Sequence, residues 1–175
     1  VPFDDERSRS RLLSDLIGDH ADIPGEQFHP IFAGSDRAAE EYEAQIREAL
    51  TWREKGHDRL DFVLLTLDPL GGAGGFTSAT AESVLRGNLD RSPLVQTVAK
   101  SPPHNLRSVA LAPKLINAAR FVAVMAAGGA HAETLQRLAD LSGPSSDVPA
   151  SWIRPHQGEL RWYVDEAACS FASGG

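Results

Sequence analysis

Cysteine is almost missing from this chain: Cys169 stands alone among 175 residues, which excludes an intrachain disulfide and any thiolate metal cluster. Lysine is scarce as well. Lys55, Lys100 and Lys114 are its only occurrences, and arginine supplies the rest of the 17 basic residues, a bias without functional content. Acidic residues number 24, giving a formal net charge of −7 and a pI near 5.3. A chain of that balance lacks the basic face that recruits phosphates along a nucleic acid. Long apolar runs are missing too. The longest, from Phe121 to Ala130, is too short to cross a bilayer, so neither nucleic acid nor membrane is expected as a partner. No charged segment followed by an apolar one opens the chain, so no signal peptide is expected, and with Val1 in first place it reads as part of a longer chain. What is present is an ordinary globular mix, 42% apolar and 23% charged, of a length that suits one domain.

The apolar pattern alternates between helix and strand periods. Leu12, Leu13, Leu16 and Ile17 recur at helical spacing behind the acidic Asp4-Asp5-Glu6, and Gly18 and Pro24-Gly25 end that helix. Phe28 to Phe32 reads as a short extended piece. Ser35 and Asp36 can cap a longer helix whose buried stripe is Ala39, Tyr42, Ile46, Ala49 and Leu50, with Glu40, Glu41, Glu43 and Arg47 on the wet side. Phe62 to Leu67 and Phe121 to Ala126 are continuous apolar runs of strand length, as expected of central parallel strands covered on both faces. Between them lie a weak helix from Thr80 to Leu85, strands at Leu94–Ala99 and Arg107–Ala112, and a helical turn from Pro113 to Ala118. A helix from His131 to Leu141 and an extended piece from Leu160 to Val164 follow. Such alternation predicts an α/β fold with a mainly parallel sheet flanked by helices.

Open α/β sheets bind ligands at the carboxyl ends of their strands, so the loop Asp68-Pro69-Leu70-Gly71-Gly72-Ala73-Gly74-Gly75 is the first place to look. It has no Gly-Lys-Ser/Thr, and a dinucleotide fingerprint starting at Gly72 would need glycine where Thr77 stands. An anion cradle and a plain structural loop remain equally consistent with it. The histidines His20, His29, His57, His104, His131 and His156 show no close helical pair of the kind that binds zinc. His131, beside free amides at a helix start, and Arg107, opening a strand after a Pro-Pro turn, are the candidates for gripping a phosphate.

Several segments, in order, carry a resemblance. Ser101-Pro102-Pro103, Arg107 to Pro113 and Ile116-Asn117-Ala118-Ala119-Arg120 form the strongest stretch, joined by Gly158 to Ala168 near the end and Val1-Pro2, Asp4-Asp5 and Ser8 near the start. Together they resemble the 6-phosphogluconolactonase / glucosamine-6-phosphate isomerase family, on the lactonase side. The resemblance implies a Rossmann-like fold of the isomerase/CoA-transferase kind, with residues 1–175 as the C-terminal portion of the family domain. The family's Gly-Gly-Ser phosphate loop and Asp-Glu-Arg motif are then expected to be absent. It further implies hydrolysis of 6-phosphogluconolactone to 6-phosphogluconate in the pentose phosphate pathway, in the cytoplasm, with no metal or organic cofactor. The ligand is a phosphorylated sugar lactone or sugar phosphate, and Arg107 matches the family's phosphate-side arginine.

Departures from the family pattern fall on the loop. Where lactonases carry Gly-x-Gly-x-Asp-Gly-His-Thr-Ala-Ser, Leu70 takes the Asp position, Gly71 is kept, and Gly72 takes the place of the histidine that serves as general base. Arg9 replaces an asparagine, and His131 replaces a lysine that contacts phosphate in the isomerase branch. A positioned base contributes roughly 10²–10⁴-fold in rate, and glycine supplies none of it. A lactonase-like enzyme, a non-catalytic sugar-phosphate-binding or interaction module, and an incomplete gene fragment therefore all remain open. On the first reading, Leu70→Asp with Gly72→His should raise the rate, provided the loop keeps its path.

Overall fold

In the computed structural model, which describes residues 1–18, 20–51, 59–78, 93–101 and 106–170, the expected alternation of helices and strands is present. The elements are α1 (Arg9–Leu13), α2 (Ala38–Thr51), β1 (Phe62–Thr66), β2 (Val95–Ser101), β3 (Leu106–Leu111), α3 (Pro113–Ala118), β4 (Phe121–Ala126), α4 (Ala132–Asp140) and β5 (Glu159–Val164). Strands β1, β4 and β5 form a parallel three-stranded sheet in that spatial order, and β2 pairs with β3 in a separate antiparallel ribbon. The helix expected at 80–85, the turn at 102–103, and His57 and His104 lie outside the described residues.

Why these segments settle where they do follows from which side chains find cover. Val63, Leu65, Val122, Val124 and Ala126 point to one face of the sheet. There they pack with Leu67, Ile116, Ala119, Leu135, Ala150 and Ile153 into the main core. A second core lies between α2 and the ribbon, where Ala39, Ile46, Val95 and Leu115 meet Tyr42, Leu50 and Val109. Pro113 at the first turn of α3 is well placed, since its missing N–H would have no partner in the helix.

The expectation that both apolar runs are central and doubly covered holds in full for neither. β4 is central, with Val122 and Val124 fully enclosed on one face, while on the other Ala123 is enclosed and Met125 is exposed. Among the described residues β1 is instead an edge strand of its sheet, and its side chains alternate: Val63 and Leu65 are buried, while Phe62 and Leu64 are 57% and 55% exposed. On that outer face the side chains partly cover one another. Phe62 stacks on Phe121 at 5.6 Å between centroids, and the Arg161 guanidinium sits 5.8 Å above the Phe121 ring. A continuous apolar run states that both faces are suited to burial; it does not state that both are buried.

Three smaller corrections have equally local causes. Leu12, Leu13, Leu16 and Ile17 are all exposed, because α1 runs into a π-turn (Ser14–Gly18) that packs on neither core. Phe28 to Phe32 joins no sheet among the described residues, and Pro30 within it has no N–H to offer a ladder. On α2, Ala49 is exposed, whereas Glu43 turns inward and its Oε2 accepts the amides of Leu94 (2.8 Å) and Val95 (3.2 Å) at the start of β2. Burial opposes ionisation of Glu43, but Arg47 and those two amides outweigh it and hold the carboxyl below its ordinary value.

Candidate active site

The carboxyl ends of β1, β4 and β5 converge on three loops, tied together by side chains that follow β4 and β5. After β1 the chain does not stay loose. Asp68 folds back on the residues that follow it, its Oδ1 accepting the amides of Leu70 (2.8 Å) and Gly72 (3.0 Å). Its main chain closes the same ring: the Asp68 amide donates to the Gly72 carbonyl (2.8 Å), and the Gly71 amide donates to the Asp68 carbonyl (3.0 Å). Residues 73–76 make a second tight turn, with Ala73 and Phe76 exchanging amide–carbonyl bonds at 3.0 and 3.1 Å. Gly74 and Gly75, at φ +61° and +85°, supply the left-handed backbone this turn needs.

The loop is therefore closed on itself. Two amides that could have cradled an anion are already spent on the carboxylate of Asp68. The loop is also pinned from outside, because the Ala150 amide donates to the Gly71 carbonyl (2.8 Å) and Phe76 is enclosed beside Trp152. A Cβ at Gly71, where φ is +87°, would press on Val148 at 3.0 Å. A Cβ at Gly72 would overlap Asp68 Oδ2 and stand 2.8 Å from the Phe76 carbonyl. Any side chain at 72 must therefore displace the Asp68 carboxylate, so Leu70→Asp with Gly72→His would not leave the loop on its path.

His131, in the turn between β4 and α4, ties the first two loops together. Its Nε2 faces the Leu67 carbonyl at 3.1 Å, and its Nδ1 faces the Gly128 carbonyl at 3.3 Å. A neutral imidazole can donate to only one of these; an imidazolium donates to both. One turn further on, buried Thr134 donates to the Pro69 carbonyl at 2.6 Å, fastening the start of α4 to the β1 loop. The third loop closes through Asp165. Its two oxygens accept the Gly128 amide at 3.0 and 2.9 Å, and Oδ1 also takes the Ala168 amide at 2.8 Å. The Gly128 amide, then that of Ala168, holds the Asp165 carboxyl below its ordinary value, with the charge of His131 adding in the same direction. Asp165, Glu166, Ala167 and Ser170 line a shallow depression beside this junction.

Arg107 sits elsewhere. It lies exposed on β3, in the ribbon, and its Nη2 reaches Asp36 Oδ1 at 2.6 Å. His20, His29 and His156 are exposed on the surface, and no cluster of metal-ligating side chains occurs among the described residues. Sequence reasoning missed Asp68, Thr134 and Asp165, which do most of the binding among the loops. Aspartate before Pro and Gly is a turn signal in its own right, and it was the one cue available for Asp68. Asn117 was seen only as part of a motif. It clamps the following segment by donating to the Trp152 carbonyl (2.8 Å) and accepting the Arg154 amide (2.7 Å).

The sequence pattern of the glucosamine-6-phosphate isomerases/6-phosphogluconolactonase family matches residues 1–162. The chain belongs to this family. Human 6-phosphogluconolactonase is 31% identical over 96% of the chain, and the rat protein of the same name is 32% identical over 99%. The chain spans 63% of the length of the human relative and 65% of the rat one. Among solved structures, 6-phosphogluconolactonase from Thermotoga maritima superposes with a TM-score of 0.74 at 23% identity, covering 94% of this chain and 67% of that one. The Trypanosoma cruzi 6-phosphogluconolactonase superposes with a TM-score of 0.77 at 22% identity, covering 97% and 68%. The family fold, a mainly parallel sheet flanked by helices, is thus shared. No helix among the described residues is long and apolar enough to cross a membrane.

Proposed function

We propose that the chain serves as a 6-phosphogluconolactonase, opening 6-phosphogluconolactone to 6-phosphogluconate in the cytoplasm without a metal or organic cofactor. The observation that carries this reading is the 31–32% identity to proteins of that name over 96–99% of the chain. The junction of loops at the carboxyl ends of β1, β4 and β5 supports it, since open α/β sheets hold their ligands there. Gly71 and Gly72 belong to the loop that walls this junction; His131 at the junction and Arg107 on the ribbon, whose Ala110 packs against Gly75 of that loop, are the groups for the substrate phosphate. In that role Arg107 exchanges the carboxylate of Asp36 for the phosphate, a bidentate partner of higher charge.

The test uses fresh lactone with spontaneous opening subtracted, since an uncorrected trace would pass buffer hydrolysis for catalysis. A rate above buffer, with Arg107→Ala raising KM at least tenfold, is the expected result. A rate equal to buffer refutes the reading. Calorimetry with 6-phosphogluconate examines His131 separately: unchanged affinity in His131→Gln removes it from the phosphate site.

A further inference from the structure

Lactone hydrolysis needs a proton acceptor for the attacking water, and position 72 holds glycine. The space that a side chain at 72 would enter is nonetheless filled. The atom filling it is Asp68 Oδ2, which a Cβ on Gly72 would overlap. We infer that Asp68 is the general base of this site, its carboxylate standing in space where the family's histidine side chain would begin. The inference rests on the lactonase reading above and adds to it the residue that accepts the proton.

Three features of the geometry suit the role. Asp68 directly follows Leu67, the last core residue at the carboxyl end of β1, where the ligand crevice of a parallel sheet lies. Its two oxygens are used differently. Oδ1 accepts the amides of Leu70 and Gly72, which fixes the plane of the carboxylate, while no hydrogen bond among the described residues goes to Oδ2. Its surroundings are also held: His131 binds the carbonyl before it, and Thr134 binds the carbonyl after it. A base locked in orientation on one oxygen, with the other taking no hydrogen bond from the described residues, is poised for proton transfer rather than for structure alone.

In the reaction, a water oxygen bonds to the lactone carbonyl carbon as one of its protons passes to Asp68 Oδ2. The tetrahedral adduct then collapses, the bond between that carbon and the ring oxygen breaks, and the ring oxygen leaves as a hydroxyl carrying the proton from Oδ2. The new carboxylic acid loses its own proton to solvent, and Asp68 is again a carboxylate. No other reactant is consumed.

Asp68→Asn separates chemistry from structure, because the amide oxygen still accepts the Leu70 and Gly72 amides while the nitrogen in place of Oδ2 accepts no proton. The expected result is a kcat lower by 10²–10⁴-fold, falling toward the buffer rate. Melting temperature and the affinity for 6-phosphogluconate should match the unmutated chain. An unchanged kcat in Asp68→Asn overturns the assignment of Asp68 and leaves the lactonase reading standing. A parallel loss of product affinity and melting temperature overturns it as well, since Asp68 would then only hold the loop. An unmutated chain no faster than buffer overturns the lactonase reading itself, and this inference with it.

Discussion

Replacing Gly72 by alanine tests the structure of the β1 loop through the sign of its effect. Gly72 has an ordinary backbone conformation, unlike Gly71, Gly74 and Gly75. With open space around it, alanine there would stabilise the chain by about 0.4–1 kcal/mol, through lost freedom of the unfolded state. The space is not open. The new Cβ would stand 2.8 Å from the Phe76 carbonyl, which is fixed by the Ala73 amide and belongs to a residue only 1% exposed. The other obstacle, the Asp68 carboxylate, is the one that can move, and moving it breaks two hydrogen bonds. Bonds to a charged acceptor contribute about 1.5–3 kcal/mol each when buried; for a half-exposed carboxylate that water can re-solvate, about 1 kcal/mol each is the fitting figure. Residual crowding adds about 1 kcal/mol. Set against the entropy gain, the expected net loss is about 2 kcal/mol, or roughly 4–8 °C in melting temperature for a chain of this size. Urea denaturation followed by circular dichroism measures it directly. Stability equal to or above that of the unmutated chain would refute the closed loop, and Leu70→Asp with Gly72→His should then be tried for a gain in rate. With the loop as described, that double substitution loses stability at least as much as Gly72→Ala and gains no activity.

Two further outcomes are expected. Since the folded carboxyl of Asp165 lies below its ordinary 3.8, it contributes stability that is fully present above pH 3.8 and lost as pH falls through its lowered folded value; the melting temperature of Asp165→Asn should therefore depend less on pH below about 4, and an identical acid profile would remove the Gly128 and Ala168 contacts from the account. Leu65→Ala should cost about 2–5 kcal/mol in urea denaturation, because Leu65 lies in the main core, while Leu64→Ala, on the open face, should change stability by less than about 1 kcal/mol; equal costs would mean that the outer face of β1 is covered in solution.

How much was legible in advance differs between backbone and site. Strand and helix positions are local matters, governed by the spacing of apolar side chains, and so Phe62–Thr66, Phe121–Ala126, Pro113–Ala118 and Glu159–Val164 were readable from the order of residues. Family membership was readable too, because motifs such as Ile116-Asn117-Ala118-Ala119-Arg120 survive as strings. Three things were decided only in three dimensions. Whether an apolar face is covered depends on what else packs there, which is why Phe62, Leu64 and Met125 stay open while Val63, Leu65 and Val124 beside them are enclosed. Whether Glu43 is wet depends on β2, 51 residues away along the chain, presenting bare amides to it. And whether Gly72 marks an empty place or a filled one depends on Asp68 folding back across four residues to occupy it. A sequence records the side chain that glycine lacks; only the tertiary structure says which neighbour has taken the room, because occupancy of space is a property of all the chains' atoms at once and not of any one position.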